Sequence, residues 1–159
     1  MKKSSVLLII GIVAVVCIGG YYIGSETGII SSTASSYPSS TELSTATFAS
    51  IMSGTDFEID NYEQAIDELN IQIYGVTGSS ASDVINWYNL ENAQDGWSNQ
   101  RSEHDSGSNW NSYIYAWTKG TSGRVVLTVD GNLVSTYTNY DTIVLTSHAP
   151  LWVYESYFD

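Results

Sequence analysis

The chain has 159 residues, a length that accommodates one domain plus accessory segments. Its 17 Asp and Glu face only five Lys and Arg, for a formal net charge of −12, yet charged residues make up just 14% of it. Nucleic-acid binding needs Lys and Arg to displace phosphate counterions; beyond Lys3 only Arg101, Lys119 and Arg124 are present, so no basic footprint can be assembled and that function class is excluded.

In chain order, the first element is MKKSSVLLIIGIVAVVCIGGYYIG, residues 1–24. Two lysines precede an almost unbroken apolar run from Val6 to Ile23, about long enough as a helix to cross a hydrocarbon core of roughly 30 Å. Lys2 and Lys3 are expected to stay cytoplasmic and the rest of the chain to be exported, with Tyr21 and Tyr22 at the outer interface. The single cysteine, Cys17, lies inside this run, so the sequence offers neither an intramolecular disulfide nor a Cys-based zinc site. No A-x-A pattern follows Ile23, as a cleaved signal peptide requires. AVVC at 14–17 resembles a lipobox but carries the bulky Val16 before the cysteine. KKSSVLL resembles the basic-then-small junction cut by prepilin-type peptidases, without the acidic residue often found early in the following helix. The segment reads as an uncleaved, single-pass signal anchor spanning the membrane through residues 5–24.

Residues 25–47, SETGIISSTASSYPSSTELSTAT, are small, polar and rich in Ser and Thr. Such a composition buries too little apolar area to offset its ordering entropy, and is expected to be a stalk. The domain is expected over 48–159, and a polar, weakly charged, tyrosine-rich surface suits an extracellular setting.

Within it, DFEIDNYEQAID (56–67) places Asp56, Glu58, Asp60, the Tyr62 carbonyl, Gln64 and Asp67 on the spacing of a calcium loop. Asn61 stands where that loop has Gly, Glu63 where it has an apolar residue, and Asp67 where it has Glu. A solvated acidic helix start accounts for the same residues, and calcium is retained only as a weak alternative with Asp56, Glu58, Asp60 and Asp67 as ligands.

NIQIYGV (70–76) alternates Ile71 and Ile73 with Gln72 and Tyr74, predicting a strand. SASDVINWYNLENAQDG (80–96) predicts a helix capped by Ser80 or Ser82, with Asp83 in its first turn and Gly96 as its stop. Val84, Trp87 and Tyr88 share one face, while Asn86, Asn89 and Asn92 are expected to point elsewhere. The chain then turns β-rich. Trp97 opens a polar strand, and SEHDSGSNW (102–110) sets His104 between Glu103 and Asp105. On a strand His104 faces away from both acids, and the stretch reads as a hairpin tip bent at Gly107, with a metal or catalytic role as the minor alternative. WNSYIYAWTKG (110–120) puts Tyr113, Tyr115 and Trp117 on one face and Ile114 and Ala116 on the other. RVVLTVDGN (124–132) is expected to turn at Asp130-Gly131. YDTIVLTS and PLWVYESYF follow as two strands, with His148 in the turn between them. The fold class is α+β: an N-terminal transmembrane helix, then an antiparallel β-meander packed on one helix in two layers.

The order of strand, DVINWY helix, GW and a YAWTKG…GRVVLTV hairpin resembles small exported α+β domains of uncharacterised archaeal membrane-anchored proteins and lipoproteins. The resemblance covers roughly residues 70–147 and rests on packing residues, so it implies a fold and a location and no chemistry.

No G-x-S-x-G elbow, phosphate-cradling glycine loop or H-E-x-x-H is present, and no catalytic residues are assigned. The abundant rings, five Trp and 12 Tyr, supply the binding candidates: Tyr113 and Tyr115 on the sheet, and Trp152, Tyr154 and Tyr157 in the tail. The expected function is a membrane-anchored extracellular binding or accessory-subunit protein, not an enzyme. Its partner is a protein, a second copy or a glycan. The alternative is a pilin-like subunit of a surface filament.

Overall fold

The computed structural model describes residues 35–44, 46–47 and 70–150. Among the described residues the one long helix, α1 (Ala81–Gln94), starts and stops where local chemistry dictates. Ser80 is extended; its hydroxyl accepts from the Asp83 N–H at 3.2 Å, and the Asp83 carboxylate accepts from the Ser80 N–H at 3.4 Å. This reciprocal cap satisfies two of the donors a helix start leaves open. At the other end Asp95 closes the last turn, and Gly96 takes the left-handed φ of +79° that a side chain would resist. The buried stripe is Ala81, Val84, Ile85, Tyr88 and Asn92. Asn92 therefore points inward, contrary to the expectation from the apolar pattern, because its amide meets a polar side chain of the sheet.

The sheet has six antiparallel strands: β1 (Thr41–Leu43), β2 (Gln72–Val76), β3 (Ser98–Gly107), β4 (Trp110–Lys119), β5 (Ser122–Gly131) and β6 (Thr142–Pro150), in the order β1-β2-β6-β5-β4-β3. The expected meander is present as β3 through β6, and β6 also takes β2 along its other side. β1 falls within the Ser/Thr-rich stretch expected to be a stalk. There Tyr37 packs its ring edge-on to Trp87 at 5.3 Å and its N–H donates to the Tyr88 hydroxyl at 3.2 Å, so from Tyr37 onward that stretch belongs to the folded unit.

Asp130-Gly131 is not a hairpin turn. Gly131, at φ +92°, leads from β5 into a short helix, α2 (Asn132–Tyr137), and the Asn132 N–H donates to the Asn109 carbonyl at 2.7 Å. A β-carbon on Gly131 would meet the backbone of Asn109 and Trp110, so this glycine serves a close approach as well as its φ. His148 likewise lies inside β6, not in a turn between two strands.

Residues directly opposite one another in an antiparallel sheet share a face. Tyr74, Val144, Thr128 and Tyr113 form one row, Thr146, Val126 and Tyr115 the next, and His148, Arg124 and Trp117 a third. This is the side that α1 covers, with Val84, Ile85 and Tyr88 packed among Tyr74, Val76, Trp97, Trp117, Val126 and Val144. Ile73, Leu145, Leu127 and Ile114 make a row on the opposite side and are buried too. β5 and β6 are thus buried on both faces, which explains their near-continuous apolar runs. An antiparallel sheet with a helix on it is the expected α+β arrangement in its coarse form. Among the described residues no helix is long and apolar enough to cross a membrane; the apolar run 6–23 lies outside them.

Polar side chains of the sheet fix the helix start. The Asp130 carboxylate accepts from the Ala81 N–H at 2.8 Å and from the Asn111 amide at 3.1 Å, while Thr128 donates to the Ala81 carbonyl at 2.9 Å. Thr142 donates to the Ser79 carbonyl at 2.7 Å, and Asp141 accepts from the Gly78 N–H at 2.7 Å. Asp130→Ala is expected to lower unfolding stability by about 1–2 kcal/mol, since it removes an N-terminal acceptor and a favourable charge at the helix start. Asp130→Asn, which keeps the acceptor, should lose only about 0.5 kcal/mol, read from denaturant midpoints.

Candidate functional site

Two arrangements on the helix side of the sheet stand out. The first is a row of rings toward the β3 edge. His104 is exposed and lies flat on Tyr113, with ring centroids 4.4 Å apart and planes at 14°. Tyr113 and Tyr115 are half-buried against the core, and Tyr115 leans on the buried Trp117 at 5.9 Å. The row therefore grades from core at Trp117 to solvent at His104. Alternation along β4 places these rings on one side, and the β3 register brings His104 opposite Tyr113.

His104 is not at a hairpin tip. β3 continues through Gly107, which pairs with Trp110, and the reversal is made by Ser108 and Asn109 alone. Gly107 is required for another reason: the Trp110 indole lies over its α-carbon, where a β-carbon would collide with it. Glu103 and Asp105 lie on the far side of the strand from His104, as alternation predicts, and Glu103 pairs with Arg101. An acid–histidine–acid cluster is therefore not assembled here.

The second arrangement is a buried polar cluster under the C-terminal end of α1. Arg124, His148 and Asn92 are 5%, 5% and 2% exposed. The Arg124 guanidinium lies over the Trp97 ring, 4.2 Å from its centroid, a favourable cation–π placement. It donates to the Asn92 side-chain oxygen, and its Nε and Nη2 lie 3.4 and 3.3 Å from His148 Nδ1. Those contacts make Nδ1 an acceptor, so the neutral imidazole carries its proton on Nε2. Nε2 and Asn92 Nδ2 are buried without a hydrogen-bond partner. Burial first, and the Arg124 charge second, pull the His148 pKa down from its usual 6.5 to about 4. Nearby, the Trp117 N–H donates to Asn89 at 3.3 Å and Lys119 donates to the Asp95 carbonyl at 2.6 Å. Asn89, expected to point away, is thus also turned to the sheet. The cluster positions the helix end; its groups are closed off from solvent.

Reading the sequence for apolar faces passed over Arg124, Asn92 and His148. A signal was available: Arg124 stands two and four residues before Val126 and Thr128, so a period of two already places it on the inner side of its strand. Trp152, Tyr154 and Tyr157 lie outside the described residues, as do Asp56, Glu58, Asp60 and Asp67 of the calcium alternative. Among the described residues, no group of three or more His, Cys, Asp or Glu could hold a metal ion.

The cluster makes stability pH-dependent in a definite direction. With its folded pKa below its unfolded one, His148 takes up a proton more readily in the unfolded chain, so acid favours unfolding. Its penalty is absent above pH 7, grows as pH falls from about 6.5 toward 4, and reaches about 3 kcal/mol below that. Thermal unfolding of His148→Gln, compared with the unmodified chain between pH 7 and 4, should show a correspondingly shallower fall in Tm.

No protein-family model matches the chain, and neither the curated proteins nor the solved structures contain a significant match to it.

Proposed function

We infer that this is a membrane-anchored extracellular binding protein, an accessory subunit of a larger surface assembly that performs no chemistry itself. The observation that carries the reading is the graded ring row from Trp117 through Tyr115 and Tyr113 to His104. Its inner end is locked in the core and its outer end is open. Rings held this way present apolar area with a polar rim and lose little side-chain freedom on binding. Beneath the rings β3 pairs with β4 from Arg101 through Gly107 and β4 with β5 throughout, which keeps the surface preformed. The buried cluster offers no comparable access, since its groups are almost wholly enclosed. The apolar run 6–23 supports the anchor, and Lys2 and Lys3 orient it with the domain outside.

The test is the size and composition of the native particle, extracted from its own membranes in mild detergent. The expected particle contains other polypeptides, and Tyr113→Ala should weaken their retention about tenfold or more, while Tm reports that the domain stays folded. A particle holding this chain alone overturns the accessory role. If its mature chain also begins after Lys3 and the particle is polymeric, the protein is a filament subunit.

A further inference from the structure

β3 is the outermost strand of the sheet, ten residues long and without proline, whereas the opposite edge, β1, has three residues. A long outer strand presents a row of backbone donors and acceptors, and the charges and bulge that β3 carries restrict its pairing to a strand that matches them. The side chains of β3 fall into two sets: Arg101, Glu103 and Asp105 on one side, and Ser102, His104 and Ser106 on the side of the ring row.

We propose that β3 pairs antiparallel with β3 of a second copy about a two-fold axis through Ser102, joining two six-stranded sheets into one. Charge selects the register. In a symmetric antiparallel pair, opposite residues share a face, so the axis passes through one residue of the strand. An axis at Arg101 sets two arginines opposite each other. At Glu103 it opposes two glutamates, at Asp105 two aspartates, and at His104 it sets Glu103 against Asp105 twice. Only Ser102, among these centres, opposes unlike charges and no like ones. Arg101 of each copy then faces Glu103 of the other, with Gln100 against His104. Unlike charges directly opposite stabilise a strand pair and like charges destabilise it. The existing Arg101–Glu103 pair would become one half of a ring of two arginines and two glutamates. Gln100 is the bulged residue between Asn99 and Arg101, so the bulge re-aims the strand and leaves residues 101–103 as the regular ladder, with Gln100 and His104 at its irregular ends.

The axis stands perpendicular to the sheet, so the helix sides of both copies face the same way. Tyr37, packed on Trp87 of α1, then lies on one side of the joined sheet in both copies. Both copies thus present Tyr37 on the same side of the joined sheet, which is compatible with two chains anchored in one membrane, a point that rests on the anchored reading above. The His104–Tyr113 stacks of the two copies then lie on the same side of the joined sheet, with the two His104 four residues, about 13 Å, apart along the paired strands.

The experiment uses the full-length chain in detergent with Cys17→Ser. Under mild oxidation, Ser102→Cys should convert to a disulfide-linked dimer. Asp105→Cys should not, because its two copies would lie about 20 Å apart, six residues along the ladder. In sedimentation the polypeptide mass should be twice that of one chain. Arg101→Glu or Glu103→Arg alone should return it to one chain, and the two together should restore the doubling. A monomer without substitutions at tens of micromolar, equal cross-linking at 102 and 105, or a double exchange that stays monomeric each overturns the proposal. Should a charge variant fail to fold, the cross-linking pair decides. If the purified chain dimerises but its native particle holds no other polypeptide, the accessory role fails and the strand pairing stands. If the native particle holds partners and the purified chain is monomeric, the reverse holds.

Discussion

Everything on the helix side depends on how the sheet grips both ends of α1. At the start, Asp130 brings a negative charge to the Ala81 N–H, and at the finish Lys119 and Arg124 bring positive charge to the last turn. These are the signs that complement a helix dipole. The helix carries an acid of its own in the first turn but no base in its last, so the cations must come from the sheet. The distances agree. Fourteen helical residues span about 21 Å, and the six steps from Arg124 to Asp130 along β5 span about 20 Å. Helix and strand therefore lie alongside each other in opposite directions, with polar contacts fixing each end.

That grip sets the helix's rotation as well as its position. With Asn89 and Asn92 turned to Trp117 and Arg124, Tyr88 and Val84 are directed into the core, and the helix covers Trp117 fully and Tyr113 and Tyr115 only in part. The half-open ring row is thus a product of helix placement. Its chemistry lives on β3 and β4, and its boundary is drawn by the contacts of α1 to β4 and β5.

Local signals were legible in the sequence, and tertiary ones were not. Ser80, Asp83 and Gly96 act within a few residues of themselves, and they located α1 almost to its ends. The alternation of Tyr113, Tyr115 and Trp117 with Ile114 and Ala116 assigned the faces of β4 for the same reason. The departures arise from contacts that no local pattern encodes. β3 reads as shorter than it is because its ten residues carry no apolar set to mark a strand, and what makes it one is the backbone of β4. Asn92 and His148 read as outward-facing because the partner beside both, Arg124, comes from a distant part of the chain. β1 is hidden in a serine- and threonine-rich run because three residues reveal nothing until β2 is beside them. Of the candidate site, the rings could be found, but not the stack of His104 on Tyr113, which needs the β3–β4 register.

The strand order has a consequence for how the chain is made. β6 lies between β2 and β5, so the last described strand to leave the ribosome occupies the middle of the sheet. Until it arrives, β3, β4 and β5 can form a meander, while β1 and β2 have no sheet to join. The contact of Thr142 with Ser79 at the start of α1, and that of His148 with Arg124 beneath its end, are likewise missing. Nascent chains stopped before residue 142 would lack the keystone joining their two halves, so the union of β1 and β2 with the meander waits until residues 142–150 are made.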